Sequence, residues 1–531
     1  MATNAGKAHK RAFPIDDLTA GSLVFLIALP LCLGIAMASG FPPVAGVMTA
    51  IVGGIVATFL GSARLTIKGP AAGLIVIALG AVQELGDGNV VDGYRRALAV
   101  GVMAAVVQII FALMRAASIG VAMSPSVIHG MLAAIGVIII SKQAHTVLGA
   151  TPRATEPLEL LAEIPHSIVH DNPEIMLIGL LSLVILFGMP YVQARWARRV
   201  PAPMIVLAVA VPLGLWFDLD HKHVYTLWAQ RFAVGPEYLV QLPSAITDAI
   251  VFPDFSLALT PLSLKYVAMF ALVGTIESTL SVLAVDGMDP QKQASDLNRD
   301  LLAVGTGNLV AALIGGLPMI SEIVRSKANV DAGAQTRWSN FFHGVLLLGF
   351  VALAPGLLHE IPLAALAAML IYTGARLAAP RQFIHAKQVG SDQLALFLLT
   401  LVVTLATDLL IGVAVGLTVK IALHLFRGAR LRDLFYTRME HVKGDKEWRL
   451  TLHGTAAFLN LLSVRKALAQ VPDNIDRVVI DVGDVCLVDH TFLSRIAVMA
   501  DEWPHAVLEI VGLEALSPVS IHKYATRRKP T

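Results

Sequence analysis

The stretch Ile67-Lys68-Gly69-Pro70-Ala71-Ala72-Gly73 and its counterpart Gly315-Gly316-Leu317-Pro318-Met319-Ile320-Ser321-Glu322-Ile323-Val324-Arg325 each interrupt an apolar segment with glycine and proline. Proline suits the first turn of a helix, because the N–H group that it lacks has no helical partner there. Each stretch therefore predicts a helix that begins inside an apolar region, with unpaired backbone N–H groups and a positive dipole end. Two such helix starts that face each other would form an anion site.

The composition is that of a membrane protein. Only 15% of the 531 residues are charged, 56% are hydrophobic, and the mean hydropathy is +0.71. Soluble domains carry about 25% charged residues, whereas no Asp, Glu, Lys or Arg occurs between Leu18 and Ala63. The net charge of +2 does not indicate a nucleic-acid partner, and the two cysteines, Cys32 and Cys486, offer no disulfide framework. We predict a polytopic membrane protein whose first apolar run, too long for a signal peptide, is a transmembrane helix.

Apolar stretches predict about 14 membrane segments of ~20 residues each, several of them shorter. Their centres lie near residues 28, 52, 75, 104, 130, 181, 209, 275, 307, 324, 347, 368, 400 and 417. They form two halves, Leu18–Phe217 and Leu264–Phe426, and an interrupted segment comes third in each half. Because each half has an odd number of segments, the two halves must be inverted relative to each other. Interrupted segments in matching positions of two halves are typical of a transporter substrate site.

The distribution of positive charge sets the predicted orientation. An alternating path places these cations on one side: Lys7, Lys10, Arg11, Arg64, Arg115, Arg195, Arg198, Arg199, Arg337, Arg376, Arg381, Lys387, Arg427, Arg430 and Arg432. The opposite side receives the Trp216–Pro261 connection and the loop with Glu156, Glu159, Glu163, Asp171 and Glu174. We predict a multi-pass protein of the inner (plasma) membrane with both termini in the cytoplasm.

After Arg432 the sequence takes on the pattern of a soluble domain. Strand-like stretches at Glu447–Leu452, Arg477–Val482 and Leu508–Val511 alternate with helix-like stretches at Phe458–Leu468 and Thr491–Ala500. This alternation predicts a small α/β domain. The predicted divisions are a cytoplasmic N-terminus at 1–17, a transmembrane transporter domain at 18–432, the α/β domain at 437–516, and a basic, disordered tail at 517–531.

Arg325 is a charged residue on an apolar background. Ionisable residues inside a membrane usually line a cavity or pair with a partner. Arg325 could supply the counter-charge for an anion, or it could form a structural ion pair with Glu322, three residues earlier on the same helix face. The two roles are compatible. Lys68 could strengthen the positive electrostatic field beside Gly69. We favour the alternative, in which its side chain extends to the cytoplasmic surface near Arg64.

Glu277 lies in the middle of an apolar span. A buried carboxylate could carry a proton, or it could coordinate a cation with the hydroxyls of Ser278 or Thr279. The alternative is a carboxylate whose hydrogen bonds are satisfied by neighbouring donors.

His129, also on an apolar helix, is more readily explained by packing. No cluster has metal-site spacing and no Walker motif occurs, so we predict no cofactor, no metal and no enzymatic activity.

Several motifs resemble those of the SulP anion transporters, the sulfate permease and prestin-type family. They are Gly69-Pro70-Ala71-Ala72-Gly73, Gly274-Thr275-Ile276-Glu277-Ser278, Val285-Asp286-Gly287-Met288, Gly315-Gly316-Leu317-Pro318 and Asn329-Val330-Asp331-Ala332-Gly333-Ala334-Gln335-Thr336. The segments Val479-Ile480-Asp481 and Val488-Asp489-His490-Thr491 resemble the STAS domain that follows the membrane part of these proteins. Lys68 and Glu322 are not typical of the better-known members.

The resemblance implies a fourteen-segment fold with a core domain (segments 1–4 and 8–11) and a gate domain (segments 5–7 and 12–14). It also implies a homodimer, an elevator-like movement of the core, and a substrate held between segments 3 and 10. Family substrates include sulfate, bicarbonate, chloride and dicarboxylates. Arg325 falls where many members have an anion-facing arginine, and Glu277 falls where proton-linked members have glutamate.

We therefore predict a secondary active transporter of inorganic anions of the sulfate or bicarbonate type, linked to protons or independent of sodium. The expected partners are a small inorganic anion, a proton (with sodium as the alternative), the lipid bilayer and a second copy of the chain. We expect the anion to contact Gly69, Pro70, Ala71, Ala72, Pro318, Ser321, Val324 and Arg325, and Glu277 and Glu322 to provide coupling. The alternatives are a C4-dicarboxylate or chloride exchanger of the same family, and a membrane sensor or scaffold that signals through the STAS domain.

Overall fold

The computed structural model describes residues 15–117, 120, 123–154, 156–169, 172–194, 200–227, 230–243, 246–291, 293–444, 446–468, 470–472, 475–502 and 507–530. Some charges used above to predict the topology lie outside the described residues, namely Lys7, Lys10, Arg11, Asp171, Arg195, Arg198 and Arg199. The orientation of the chain in the membrane therefore stays a prediction.

The first half of the described chain consists mainly of apolar helices and contains one short strand. In chain order the elements are α1 (Ile15–Ala38), α2 (Pro43–Leu60), β1 (Ile67–Pro70), α3 (Ile75–Gly86), α4 (Val90–Leu113), α5 (Pro125–Val147), α6 (Pro157–Val169), α7 (Pro173–Gly188) and α8 (Ala202–Trp216). A hairpin of β2 (His223–Leu227) and β3 (Gln230–Val234) follows. Proline begins α2, α5 and α7, where its missing N–H leaves no helical bond unmade.

The second half repeats the pattern of a short strand in front of its third segment. Its elements are α9 (Pro261–Met288), α10 (Leu297–Leu313), β4 (Met319–Glu322), α11 (Ile323–Asp331), α12 (Trp338–Leu353), α13 (Pro355–His359), α14 (Leu363–Leu377), α15 (Pro380–Val389), α16 (Ser391–Ala406) and α17 (Leu409–Phe426).

Eight segments of the described chain are long and apolar enough to cross a membrane: α1, α2, α4, α5, α7, α9, α17 and the continuous α14–α15 segment. The apolar helices α3, α8, α12 and α16 are shorter. The helices α10 and α11 occupy the two remaining predicted positions. Every membrane segment predicted from the sequence thus coincides with a helix, and the chain is a multi-pass membrane protein.

The two interrupted segments meet through their short strands, because β1 pairs with β4 in an antiparallel ladder along their whole length. The prediction that the helices begin at Pro70 and Pro318 is therefore wrong in detail. A 3-10 turn (Ala72–Leu74) leads into α3, and α11 begins only at Ile323. Extended backbone inside a membrane needs internal hydrogen-bond partners, and each strand supplies them to the other. The antiparallel pairing agrees with two halves of opposite orientation.

Side chains of the surrounding helices complete the hydrogen bonding of this strand pair. Asn308 of α10 accepts from the Met319 N–H at 2.6 Å and donates to the Met319 carbonyl at 3.1 Å. Asn340 of α12 accepts from the Lys68 N–H at 3.2 Å. The Ile67 N–H donates to the Ser326 hydroxyl at 2.8 Å. The strand pair is thus held by polar side chains of three helices in the second half of the chain, α10, α11 and α12.

The C-terminal region is an α/β domain, as predicted. It contains α18 (Leu431–Phe435), β5 (Arg438–Lys443), β6 (Glu447–Ala456), α19 (Leu461–Leu468), β7 (Arg477–Asp481), β8 (Val485–Val488), α20 (His490–Glu502), β9 (Val507–Val511), β10 (Ser517–Pro518) and β11 (Arg527–Arg528). The sheet order is β10-β11-β8-β6-β7-β9, and β5 pairs with β6. The strands β8, β6, β7 and β9 run parallel to their neighbours within this group. The helix α19 connects β6 to β7, and α20 connects β8 to β9.

The prediction of a disordered tail at 517–531 is wrong for the residues from Ser517 to Arg528. Within this stretch β10 pairs with β11, and β11 pairs with β8. An uncovered β8 would present a row of unpaired backbone groups, and β11 covers that edge. The Ser520 hydroxyl also donates to the Val389 carbonyl at the end of α15, at 2.5 Å. The tail thus joins the sheet to the membrane part.

Candidate functional site

Both interrupted helices begin in the interior of the protein, and neither is capped by the side chain of the residue that precedes it. The 3-10 turn that leads into α3 starts after Ala71, and α11 starts after Glu322. At neither start does the side chain of the preceding residue accept from the first N–H groups, but the Glu322 carboxylate lies within hydrogen-bonding reach of the Ala72 N–H. These N–H groups have no partner within the helix and carry the positive end of its dipole. The pair of helix starts is therefore suited to an anion.

The residues predicted to contact an anion differ in whether their hydrogen-bond donors already have a partner within the protein. Ala71 donates its N–H to the Pro318 carbonyl at 3.3 Å. Ser321 donates its N–H to the Ser278 hydroxyl at 3.2 Å and its own hydroxyl to Asp300 at 3.1 Å. These donors are occupied within the protein. Gly69 and Pro70 end β1, Ala72 begins the 3-10 turn, Pro318 precedes β4, and Val324 lies in the first turn of α11.

Arg325 lies in the first turn of α11 and is only 1% exposed. Its Nη1 is 3.4 Å from the Cys32 sulfur of α1 and lies against Gly69, where a Cβ would collide with it. Among the described residues, neither Nη2 of Arg325 nor Oε1 of Glu322 has a hydrogen-bond partner. No nitrogen of Arg325 forms an ion pair with Glu322, although the two charges are close enough to interact. The guanidinium is buried and directly paired with no carboxylate among the described residues.

Two buried carboxylates lie at the start of α3. The Glu277 carboxylate of α9 lies directly over Gly73, where a Cβ would collide with it. In the described part of the chain, neither oxygen of Glu277 has a hydrogen-bond partner. The Glu322 carboxylate faces the backbone of Ala72, and it is close enough to Glu277 for the two charges to interact. The structure thus brings both predicted coupling residues to the same helix start.

The prediction that Lys68 extends to the cytoplasmic surface is wrong. Its side chain is 2% exposed, and its Nζ lies 3.0 Å from Oδ1 of Asp300 in α10. The Thr66 hydroxyl accepts a second hydrogen bond from Nζ at 2.8 Å. Because a lysine can extend to the surface only when no buried partner holds it, the ion pair with Asp300 decides its position.

Three further residues near the site were not identified from the sequence: Cys32, Asp300 and His343. His343 of α12 is fully buried, and within the described chain neither of its ring nitrogens has a hydrogen-bond partner. It lies within electrostatic range of Arg325. His343 and Asp300 are polar residues in apolar segments, which marks them as candidates for a functional role. Nothing in the neighbouring sequence indicates that they lie near β1 and β4. His129 lies elsewhere, near His385 and Arg495.

A cavity of about 570 Å³ lies between α1, α7, α8, α11 and α14. Its lining includes Leu23, Ile27, Ala202, Ala328 and Tyr372. Ala328 is one helical turn beyond Arg325 on α11, so the cavity reaches the half-helix that carries the guanidinium.

Comparisons with known proteins agree with this architecture. The family described as the Sulfate permease family matches residues 15–400. A protein named putative sulfate transporter YvdB, from Bacillus subtilis, is 28% identical over 402 residues, which are 76% of this chain and 72% of that protein. The bicarbonate transporter BicA of Synechocystis is 24% identical over 419 residues, which are 78% of this chain and 71% of the relative.

Solved structures show the same fold. The transmembrane domain of a cyanobacterial bicarbonate transporter BicA superposes with a TM-score of 0.63 at 24% identity, covering 77% of this chain and 99% of that domain. Murine Slc26a9, an anion transporter solved in the inward-facing state, superposes with a TM-score of 0.68 at 15% identity, covering 95% of this chain and 86% of the other. With a family match over most of its length, this chain belongs to the sulfate permease family.

Proposed function

We propose that the chain is a secondary active transporter of inorganic anions of the sulfate or bicarbonate type. The observation that carries this proposal is the buried Arg325 guanidinium, whose Nη2 has no hydrogen-bond partner among the described residues and which stands at one of the two helix starts. An unpaired charge inside a membrane protein is costly unless a ligand or a cavity compensates for it. An anion between the helix starts would supply the missing negative charge. The names of the relatives support sulfate and bicarbonate as candidates.

The anion would be held by the free N–H groups at the two helix starts and by Arg325. Of the residues predicted from the sequence, Val324 can offer its backbone N–H group, whereas the Ala72 N–H lies within hydrogen-bonding reach of the Glu322 carboxylate. Gly69 instead leaves room for the guanidinium, since its missing Cβ is where Nη1 lies. The N–H and hydroxyl of Ser321 already donate to groups within the protein, so Ser321 would support the site without contacting the anion.

Coupling follows from the two carboxylates that share this gap. Glu277 and Glu322 would repel an incoming anion if both were charged, so the binding of an anion favours the uptake of a proton by one of them. A proton that enters with the anion makes transport respond to a pH gradient. The unpartnered oxygens of Glu277 could also bind sodium, and we propose the proton because a cation would need further oxygen ligands at the positive end of α3.

We further propose that segments 1–4 and 8–11 form a core that moves as an elevator against a gate of segments 5–7 and 12–14. The cavity between α1 and α11 on one side and α7, α8 and α14 on the other supports this division, because it separates the two proposed bodies on one face. The same proposal includes a homodimer in the plasma membrane, with both termini and a STAS-like C-terminal domain in the cytoplasm.

Uptake into proteoliposomes tests the proposed function. Purified wild-type protein would be offered labelled sulfate, bicarbonate, chloride or a C4-dicarboxylate, with an inward proton gradient, a sodium gradient or neither. We expect saturable uptake of sulfate or bicarbonate that a proton gradient stimulates and a sodium gradient does not. Preferred uptake of dicarboxylate or chloride would favour the exchanger alternative. Absence of uptake of every anion would contradict transport and favour a sensor or scaffold.

A further inference from the structure

A buried polar triangle holds the two crossing strands together. Lys68 of β1 and Ser321 of β4 are register partners in the antiparallel ladder. Both side chains reach the same carboxylate, that of Asp300 in α10: Lys68 Nζ lies 3.0 Å from Oδ1, and the Ser321 hydroxyl donates to Oδ2 at 3.1 Å. Oδ1 also accepts from the Ala63 N–H at 3.3 Å. One aspartate thus connects both strands to a third element.

The strand pair needs such a connection, because its own ladder is short. Each strand has only four residues, and Pro70 cannot donate a hydrogen bond to its partner. A slip of one residue in a ladder turns every side chain to the opposite face. A slip here would carry the Lys68 ammonium or the Ser321 hydroxyl away from Asp300 and leave a buried charge unpaired. The triangle therefore fixes the register.

The register of β1 and β4 determines where the anion-site groups lie. Gly69, which follows Lys68, receives the Arg325 guanidinium. Glu322, which follows Ser321, ends β4 at the start of α11. The Ser321 N–H reaches the Ser278 hydroxyl, next to Glu277 on α9. A change of register would displace the guanidinium and both carboxylates relative to each other.

We propose that Lys68 and Asp300 are positioning residues of the anion site: their ion pair holds β1 and β4 in the register that makes both helix starts face one gap. They touch neither the anion nor the proton. This inference rests on the proposed function for its transport readout, but the pairing of the two strands can be followed without any substrate.

The test compares four variants: Lys68→Met, Asp300→Leu, the double variant Lys68→Met/Asp300→Leu, and Lys327→Met as a matched control. Lys327 lies on the same half-helix as Arg325, but its side chain is 55% exposed. Each single variant leaves a buried group without its partner and is expected to lower the melting temperature. The double variant replaces the ion pair by apolar groups of similar size, which often restores stability. Here the recovery should be partial, because the Ser321 hydroxyl and the Ala63 N–H lose their acceptor.

Two readouts are combined in detergent and in proteoliposomes. Hydrogen–deuterium exchange of peptides that cover residues 67–75 and 319–325 reports, without any substrate, whether the backbone N–H groups of the paired strands stay protected. Uptake kinetics report KM and the maximal rate for whichever anion the wild type transports. We expect the double variant to melt at a higher temperature than either single variant, to lose protection in both peptides, and to raise KM by about tenfold or more, the effect of one lost charge-assisted contact. Lys327→Met should match the wild type throughout.

The inference would be overturned if the double variant kept both the wild-type exchange protection of the two peptides and the wild-type KM. The ion pair of Lys68 and Asp300 would then neutralise two buried charges without positioning the strands. Unchanged KM in both single variants would overturn the inference as well. If the wild type transports no anion while the double variant still loses protection in both peptides, the proposed function fails and the positioning of the strands stands.

Discussion

At the scale of the residue, the buried Arg325 makes the sharpest prediction. Replacing it with alanine removes the charge partner of the anion, which typically costs about 2–5 kcal/mol of binding. We expect Arg325→Ala to fold and to lose measurable uptake. Arg325→Lys keeps the charge but not the planar fork of donors, so it should transport with a raised KM. Initial rates of uptake over a range of anion concentrations measure both effects, and wild-type affinity in Arg325→Ala would exclude the arginine from the site.

Glu277 and Glu322 can be separated by the same kind of substitution. Glutamine mimics the protonated carboxylic acid, so Glu277→Gln should still bind the anion but lose the stimulation of uptake by an inward proton gradient. Glu322→Gln provides the comparison, because its carboxylate lies at the same helix start. The measurement is the ratio of uptake with and without the gradient. If Glu277→Gln still accumulates the anion under the gradient and Glu322→Gln does not, the coupling role belongs to Glu322.

The sequence identified Arg325, Glu277 and Glu322 because each is a charge within an apolar stretch, and such charges are expensive in a membrane. It could not decide between the alternatives for Lys68. The sequence around Lys68 does not distinguish a lysine that extends to the surface from one that pairs inside the protein. Its partner, Asp300, lies in the other half of the chain. Which charges meet is a property of the tertiary structure.

At the scale of the element, the positions of the membrane segments followed from hydropathy, but the strands β1 and β4 did not. Each strand is too short for a recognisable alternation, and its partner lies in the other half of the molecule. The proline residues pointed correctly to the interruption. They did not mark the first helical residue, because the extended residues after Pro318 pair with β1 before α11 can begin. The same long-range pairing, through β11, explains the ordered part of the C-terminal tail.

The contact between Gly73 and Glu277 tests the geometry of the first helix start. A Cβ on Gly73 would collide with the Glu277 carboxylate, so Gly73→Ala must displace the carboxylate from the helix start. We expect strongly reduced uptake with little change in melting temperature. Glu277→Asp, one methylene shorter, should restore part of the uptake when combined with Gly73→Ala. The control is Gly349→Ala on α12, where the added methyl group meets no atom within 4 Å; equal loss in both variants would contradict the assignment.

At the scale of the whole molecule, the membrane part and the C-terminal domain share a buried charged contact. Lys420 near the end of α17 lies 3.2 Å from Oδ2 of Asp489 and donates to the Thr491 hydroxyl at 2.7 Å. His424 lies 3.3 Å from the same carboxylate oxygen. The Lys420 ammonium also lies over the Phe458 ring, 4.4 Å from its centroid. The sequence predicted a membrane part and an α/β domain, but the contact between them depends on how they dock and could not be predicted from the sequence of either one.

Asp489 stays charged in this contact over the physiological pH range. Burial alone would raise the pKa of its carboxyl, but the Lys420 ammonium and the His424 ring outweigh burial and hold the pKa well below its ordinary value. A carboxyl with a lowered pKa in the folded protein stabilises the fold above its unfolded pKa, and that stability is lost as the pH falls through the folded pKa. The docked domain should therefore tolerate mild acidification.

Breaking the pair should uncouple the stability of the molecule from the affinity of its anion site. Asp489→Asn leaves the Lys420 ammonium buried without its counter-charge, and removing one partner of a buried ion pair typically costs about 3–5 kcal/mol. We expect a lower melting temperature and poorer expression, with KM for the anion within a few-fold of wild type, because no anion-site residue touches Asp489. The double variant Lys420→Met/Asp489→Leu should recover much of the stability, since it removes both charges together.

Truncation after Arg432 exposes the Lys420 ammonium as well, and its effect on stability should equal or exceed that of Asp489→Asn. A large rise in KM for stable, correctly inserted protein would show that the C-terminal domain shapes the anion site through α17.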